Sequence, residues 1–180
     1  MPLCRESNLI ALLLLAASCP MAADAAESAR IEMIRLNDLA AGLPVQLRWS
    51  WHAVGIDPQD NVYVVFGGSV GEDSADCALF QYSARSGQRR LIGLLSDACK
   101  ADGTWREGER IEKGHSQLVW LDGKIYIGTM GFHDAAGNEN SPQMQLALKS
   151  HGAHLMAYDP AADRLVDCSP TQPDGVFFKG

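Results

Sequence analysis

Two stretches of the chain repeat one pattern of apolar and polar positions. The first runs His52-Ala-Val-Gly-Ile-Asp-Pro-Gln-Asp-Asn-Val62-Tyr-Val-Val, the second His115-Ser-Gln-Leu-Val-Trp-Leu-Asp-Gly-Lys-Ile125-Tyr-Ile-Gly. With His52 set on His115 they align without a gap through Tyr63 on Tyr126. Each reads as a short apolar strand, a turn, then a β-branched and aromatic strand. Asp57-Pro58-Gln59-Asp60-Asn61 is turn chemistry: proline presets one dihedral, and Asp or Asn bonds the local backbone. Asp122-Gly123 predicts a two-residue hairpin, whose turn needs positive φ at both central positions.

A second match follows each hairpin. Ala78 to Gly87 leads into Arg89–Leu95, and Ala153 to Asp163 leads into Arg164–Cys168, again strand, polar turn, strand. The expectation is an all-β fold of antiparallel four-stranded units, the first over 52–95 and the second over 115–169. Four strands per unit, repeated, is the pattern of β-propeller blades, so about two blades plus partial flanking strands are expected over 26–180.

The chain also resembles Kelch-type and related YVTN/NHL-type propeller repeats. Asn61-Val-Tyr-Val-Val-Phe-Gly67-Gly68 is similar to the Kelch strand ending in a glycine doublet, with Tyr82 where that motif has its tyrosine. Tyr158-Asp-Pro-Ala-Ala-Asp163 resembles the tyrosine-aspartate-proline turn of such repeats. The second unit keeps only Gly131 of the doublet, and neither unit has the Kelch tryptophan after the tyrosine. The resemblance covers about two thirds of the chain and implies architecture rather than activity, because propellers host many functions.

Two blades do not close a ring, which typically takes at least four. The run Asp174-Gly-Val-Phe-Phe-Lys-Gly180 reads as the beginning of another strand. The expectation is therefore the N-terminal part of a longer propeller; if the chain is complete, copies would have to self-associate to close the ring.

At the other end, Leu9–Ala17 has the length of a signal-peptide core, Arg5 supplies a positive start, and Ala23-Asp24-Ala25 fits the small-x-small cleavage pattern. This predicts a signal peptide over 1–25 and a periplasmic or secreted protein with no integral membrane segment after processing. Lipidation at Cys19 is the less favoured alternative. A net charge of −7 without a Lys/Arg cluster argues against nucleic acid as a partner. Cys77, Cys99 and Cys168 remain after processing; Cys77 and Cys99 flank one blade and are expected to pair as a disulfide.

The candidate chemistry is thin. His52 and His115 hold equivalent repeat positions, where blade strands line the axial channel, and convergent imidazoles there would suit a divalent metal. No other cofactor is indicated. His133 and Asp134 lie in an insert over 132–150 with a short helix expected at Gln143–Lys149; folded over the channel mouth, it would bring them to His115 in a polar pocket. His151-x-x-His154 reads as a pair of exposed loop histidines. Trp49 and Trp51 would share a strand face, either to stack on a sugar ring or, the favoured reading, to plug the blade interface. Trp105, in the long connection 96–114, is the better ligand contact among the aromatics. No nucleophile constellation or phosphate loop is legible, so catalytic residues are unassigned. The expected function is an exported propeller scaffold presenting loops to a protein or carbohydrate ligand. The alternative is a propeller lyase or hydrolase with a histidine-lined, metal-dependent axial site.

Overall fold

The computed structural model of the chain describes residues 10–13, 31–70, 74–106, 109–131 and 153–169. Among these, β1 (Ile10–Leu13) and β2 (Glu32–Arg35) form an antiparallel ribbon. The first large sheet contains β3 (Gln46–Trp49), β4 (Val54–Ile56), β5 (Asn61–Val70), β6 (Ser74–Ser83) and β7 (Arg89–Leu94). Helix α1 (Leu95–Ala101) follows. The second sheet contains β8 (Lys113–Gly114), β9 (Val119–Leu121), β10 (Lys124–Met130), β11 (Leu155–Asp159) and β12 (Arg164–Asp167). The expected cleavage motif, Cys19, the insert 132–150 and the terminal Phe177 and Phe178 lie outside the described residues.

Both large sheets follow one plan, and every pairing is antiparallel. In the first, β4 covers the start of β5 and β3 covers its end, with β6 and β7 following. In the second, β9 covers the start of β10 and β8 its end, with β11 and β12 following. The all-β antiparallel expectation holds. β3 and β8 lie ahead of His52 and His115. Both are held by the far halves of their long partners, β5 and β10.

The turns form as their residues dictate. Asp122 and Gly123 have φ of 48° and 79°, the mirror-image hairpin turn that matches strand twist. Asp57 accepts hydrogen bonds from the backbone N–H of Gln59 at 2.8 Å and of Asn61 at 2.9 Å. Its second oxygen accepts from the Tyr63 hydroxyl and the Asn61 side chain, each at 2.9 Å. One buried carboxylate thus fixes the turn and anchors a fully buried tyrosine.

The sheets stack in series. Tyr63, Val65, Cys77 and Leu79 from the first meet Ile125, Ile127, Met156 and Tyr158 from the second in one buried core. Strand alternation puts Val62, Val64 and Phe66 on the opposite, outer face of the first sheet. There Val64, Phe66 and Phe80 pack under Ile34, Leu36 and Val45 in a second core. Under the repeat alignment, Val62 and Val64 correspond to Ile125 and Ile127. Equivalent faces therefore point the same way, and the front of one sheet meets the back of the next.

The contact is close at the short first strands. The Leu118 N–H donates to the Val54 carbonyl at 3.1 Å, and a Cβ added at Gly55 would lie 2.7 Å from the Leu118 Cβ. A Cβ at Gly67 would stand 2.2 Å from the Glu112 carbonyl oxygen, so the first glycine of the doublet lets the incoming connection cross β5. Trp49 donates its indole N–H to that same carbonyl at 2.9 Å. Trp49 thus sits at the junction between the sheets. Trp51 lies past the end of β3 and is 52% exposed, with the Lys113 ammonium 4.3 Å above its ring.

The outer faces keep exposed apolar rows. Val54 and Ile56 pair with Val64 and Val62, and so lie on the outer face of the first sheet. Val119 and Leu121 pair with Tyr126 and Lys124, on the outer face of the second. No helix among the described residues is long and apolar enough to cross a membrane.

The Asp57 turn sets the first prediction. Asp57→Ala leaves the Tyr63 hydroxyl with fewer partners in a buried setting and should cost about 2–3 kcal/mol. Urea unfolding of the variant beside the unsubstituted chain measures it.

Candidate functional site

The long connection expected over 96–114 opens with structure of its own. Helix α1 buries Leu95, Ser96, Ala98 and Cys99. Its amino end lacks a cap from its own side chains; instead Asp76, on β6, accepts from the Ser96 N–H at 3.3 Å and the Ser96 hydroxyl at 2.5 Å. Burial raises the Asp76 pKa, and the bonds from Ser96 and Cys77 oppose that rise. Gly103 ends the helix with φ of 72°. Its N–H bonds the Lys100 carbonyl at 3.2 Å, and the Thr104 N–H bonds the Cys99 carbonyl at 2.9 Å. This is the paired closure that a left-handed glycine permits.

That closure sends Thr104, Trp105 and Glu109 back along the second sheet. His154, immediately before β11, is tied to β10: its N–H donates to the Thr129 hydroxyl at 2.8 Å, and its carbonyl accepts from the Thr129 N–H at 3.0 Å. Asp167 ends β12, its N–H donating to the Asp102 carboxylate at 2.8 Å. The helix, the connection and two strands thereby deliver Cys99, Glu109, His154 and Asp167 to one place.

The histidine bridges two carboxylates. Its Nδ1 is 2.6 Å from Asp167 Oδ2 and its Nε2 is 3.1 Å from Glu109 Oε1. The three side chains are at most 1% exposed. Cys99 Sγ lies 3.6 Å from Nδ1 and 3.7 Å from Met156 Sδ. Thr104 donates its hydroxyl to Asp167 Oδ2 at 2.6 Å, and the Ser169 N–H donates to Oδ1 at 2.9 Å. The Trp105 ring stacks on the imidazole, its centroid 6.4 Å away at an interplanar angle of 16°.

Burial by itself would drive the His154 pKa down. The hydrogen bonds to Asp167, Cys99 and Glu109 outweigh it and raise the value from 6.5 to about 11. Burial pushes the Asp167 carboxyl up, but the bonds from His154, Thr104 and Ser169 hold it well below the usual carboxylate range. For Cys99 burial dominates and raises the thiol, against a lowering by His154. The resting arrangement is an imidazolium between two carboxylates beside a neutral thiol.

This is not a thiol-protease relay. Such a relay uses the two ring nitrogens separately, one for the nucleophile and one for the orienting carboxylate. Here Cys99 and Asp167 share Nδ1, and the thiol is buried and kept protonated, whereas reactive cysteines are accessible thiolates.

The expected Cys77–Cys99 disulfide is corrected: both are free thiols. Cys77 faces the Ile111 carbonyl at 3.5 Å and Cys99 faces His154, so each has its own buried partner. His154, expected on an exposed loop, is buried because it already belongs to the β10 ladder. His52 and His115 are both exposed, His52 with a left-handed φ of 53°. Their backbones run close, since a Cβ on Gly114 would lie 2.7 Å from the Ala53 Cβ. Neither belongs to a group of three ligating side chains; among the described residues Cys99, His154 and Asp167 form the one such group. His133, Asp134 and His151 lie outside the described residues. Trp105 is half-buried and, with Leu43, Asp76, Ser96, Asp97 and Lys100, lines a surface cleft of about 550 Å³.

No protein-family model, no curated protein and no solved structure matches the chain.

Two outcomes follow for the cluster. Asp167→Ala removes one of the two carboxylates that hold the buried imidazolium and should cost about 3–5 kcal/mol in urea unfolding. The raised His154 pKa means its contribution is complete below pH 6.5 and fades as pH rises toward 11. The unfolding midpoint should therefore fall between pH 6 and pH 9, and His154→Gln should shrink that fall.

Proposed function

We propose that the chain is an exported β-propeller-type binding protein, its two sheets being consecutive blades that present loops to a protein or carbohydrate ligand. The observation that carries this reading is the serial stacking of two sheets of one strand plan, front on back. Tandem blades pack in that manner. The exposed rows Val54/Ile56 and Val119/Leu121 lie where a neighbouring blade would bury them. Export rests on the Leu9–Ala17 run and the Ala23-Asp24-Ala25 motif.

The Trp105 cleft is the seat we assign to the ligand. An indole edge beside a lysine, a serine and aspartates suits a saccharide, whose apolar ring face packs on the aromatic while its hydroxyls reach the polar rim. Lys100, 5.3 Å from the indole centroid, salt-bridges Asp97 at 3.3 Å along that rim.

Calorimetric titration with a panel of neutral and acidic oligosaccharides tests the assignment. Saturable binding by the exported chain is expected, weakened at least tenfold by Trp105→Ala and by Asp97→Ala. Asp97 is exposed and is not one of the side chains bonded to His154, so its variant separates ligand contact from damage to the core. Saccharide binding unchanged in both variants, or absent across the panel, overturns the assignment.

A further inference from the structure

We propose that Cys99, His154 and Asp167 form a binding site for a thiophilic divalent transition ion of the zinc class. The site is separate from the Trp105 cleft and stands whether or not the sheets belong to a ring.

The first argument is metric. The Sγ, Nδ1 and Oδ atoms all lie within 4.8 Å of one another. With zinc–nitrogen bonds of about 2.0–2.1 Å and zinc–sulfur bonds of about 2.3 Å, a tetrahedral N–S edge is roughly 3.6 Å. The Cys99 Sγ to His154 Nδ1 separation is 3.6 Å. Asp167 Oδ2, 2.6 Å from Nδ1, would have to retreat to roughly 3.3 Å for its own edge. A small rotation of one carboxylate at a strand end supplies that. On the sulfur side stands the Met156 thioether, 3.7 Å from Cys99 Sγ and itself a weak soft donor.

The second argument is chemical. Thiolate, imidazole and carboxylate together suit zinc and its neighbours, whereas magnesium and calcium take oxygen ligands. The ion's two positive charges take the place of the two protons it displaces, so the buried cluster, Glu109 included, keeps its net charge in an interior where added charge is costly. Binding replaces two protons, one leaving Cys99 and one leaving His154 Nδ1. No oxidation or reduction is involved.

The third argument lies behind the ligands. Metal-bound histidines usually donate their other N–H to a carboxylate, which fixes the ring. Glu109 already occupies that position on Nε2 at 3.1 Å and is buried. The ligand carboxylate is likewise held, by Thr104 and the Ser169 N–H. Three protein ligands leave the fourth tetrahedral position to the Met156 thioether or to a water. The ion would clamp α1, which closes the first sheet, onto β11 and β12 of the second.

The test uses the whole exported chain, stripped with a chelator and titrated with Co(II). One equivalent should produce the near-ultraviolet charge-transfer band of a thiolate–cobalt bond, and Zn(II) should displace it. Cys99→Ser should abolish the band, while Cys168→Ser, at an exposed cysteine, should leave it intact. Glu109→Gln should weaken Zn(II) binding about 10–100-fold. Should the Cys99 variant fail to fold, zinc-edge X-ray absorption on the unsubstituted chain gives the answer directly: one sulfur with nitrogen and oxygen neighbours supports the site. A folded chain that gives no band, a band that survives Cys99→Ser, or a zinc shell without sulfur overturns it.

Discussion

Each large sheet has two faces that need covering, and the face shared between the sheets is the constraint around which the rest is arranged. Tyr63, Val65 and Leu79 can leave water only against Ile125, Ile127 and Met156, which places the second sheet square on the first. The approach is close enough that glycine stands at the crossing points, as at Gly55 against Leu118 and Gly67 against Glu112. Burial of this apolar surface is the dominant favourable contribution, and the polar groups caught in it must all find partners.

The buried ionic cluster is a consequence of that stacking. The chain leaves the first sheet through α1, turns at Gly103 and returns to start the second at β8. The crossing carries Cys99, Thr104 and Glu109 against β11 and β12, where His154 and Asp167 await them. Isolated, any one of these groups would be costly to bury. Together they satisfy one another: the imidazolium offers two N–H groups and each carboxylate accepts one. Such a cluster adds directional specificity to a contact that hydrophobic burial alone leaves non-directional. A second polar chain performs a similar task farther out. Arg90 on β7 reaches the Tyr158 hydroxyl and Asp163 of the second sheet, and Gln81 links Arg90 to Tyr63.

Exposure at the outer faces has a different physical meaning. Scattered exposed aliphatics are ordinary on any protein. Val54 with Ile56, and Val119 with Leu121, are instead short rows on corresponding strands, β4 and β9, set on opposite faces of the two sheets. The first pair points away from the shared core on one side and the second on the other. An apolar row thus remains on each outer face, surface that a further packed layer would take out of water.

Strand alternation, the Asp57 turn and the Asp122-Gly123 hairpin were legible from the residues because they are local: a two-residue period and a positive-φ dipeptide act through neighbours in the chain. The repeat was legible for the same reason, and it set the register that lays Tyr63 on Tyr126. What lay beyond the sequence was every property that depends on distant partners. Cys99 could be paired on paper with Cys77, yet only the path of α1 turns its sulfur toward His154. His154 carried no mark of burial, since its ladder with Thr129 joins residues on either side of a long insert. Glu109 and Asp167 are two acidic residues among many until stacking brings both to one imidazole. Local chemistry determined the strands, their turns and their repetition; the close packing of one sheet on the next decided which polar side chains would be shut away from water together.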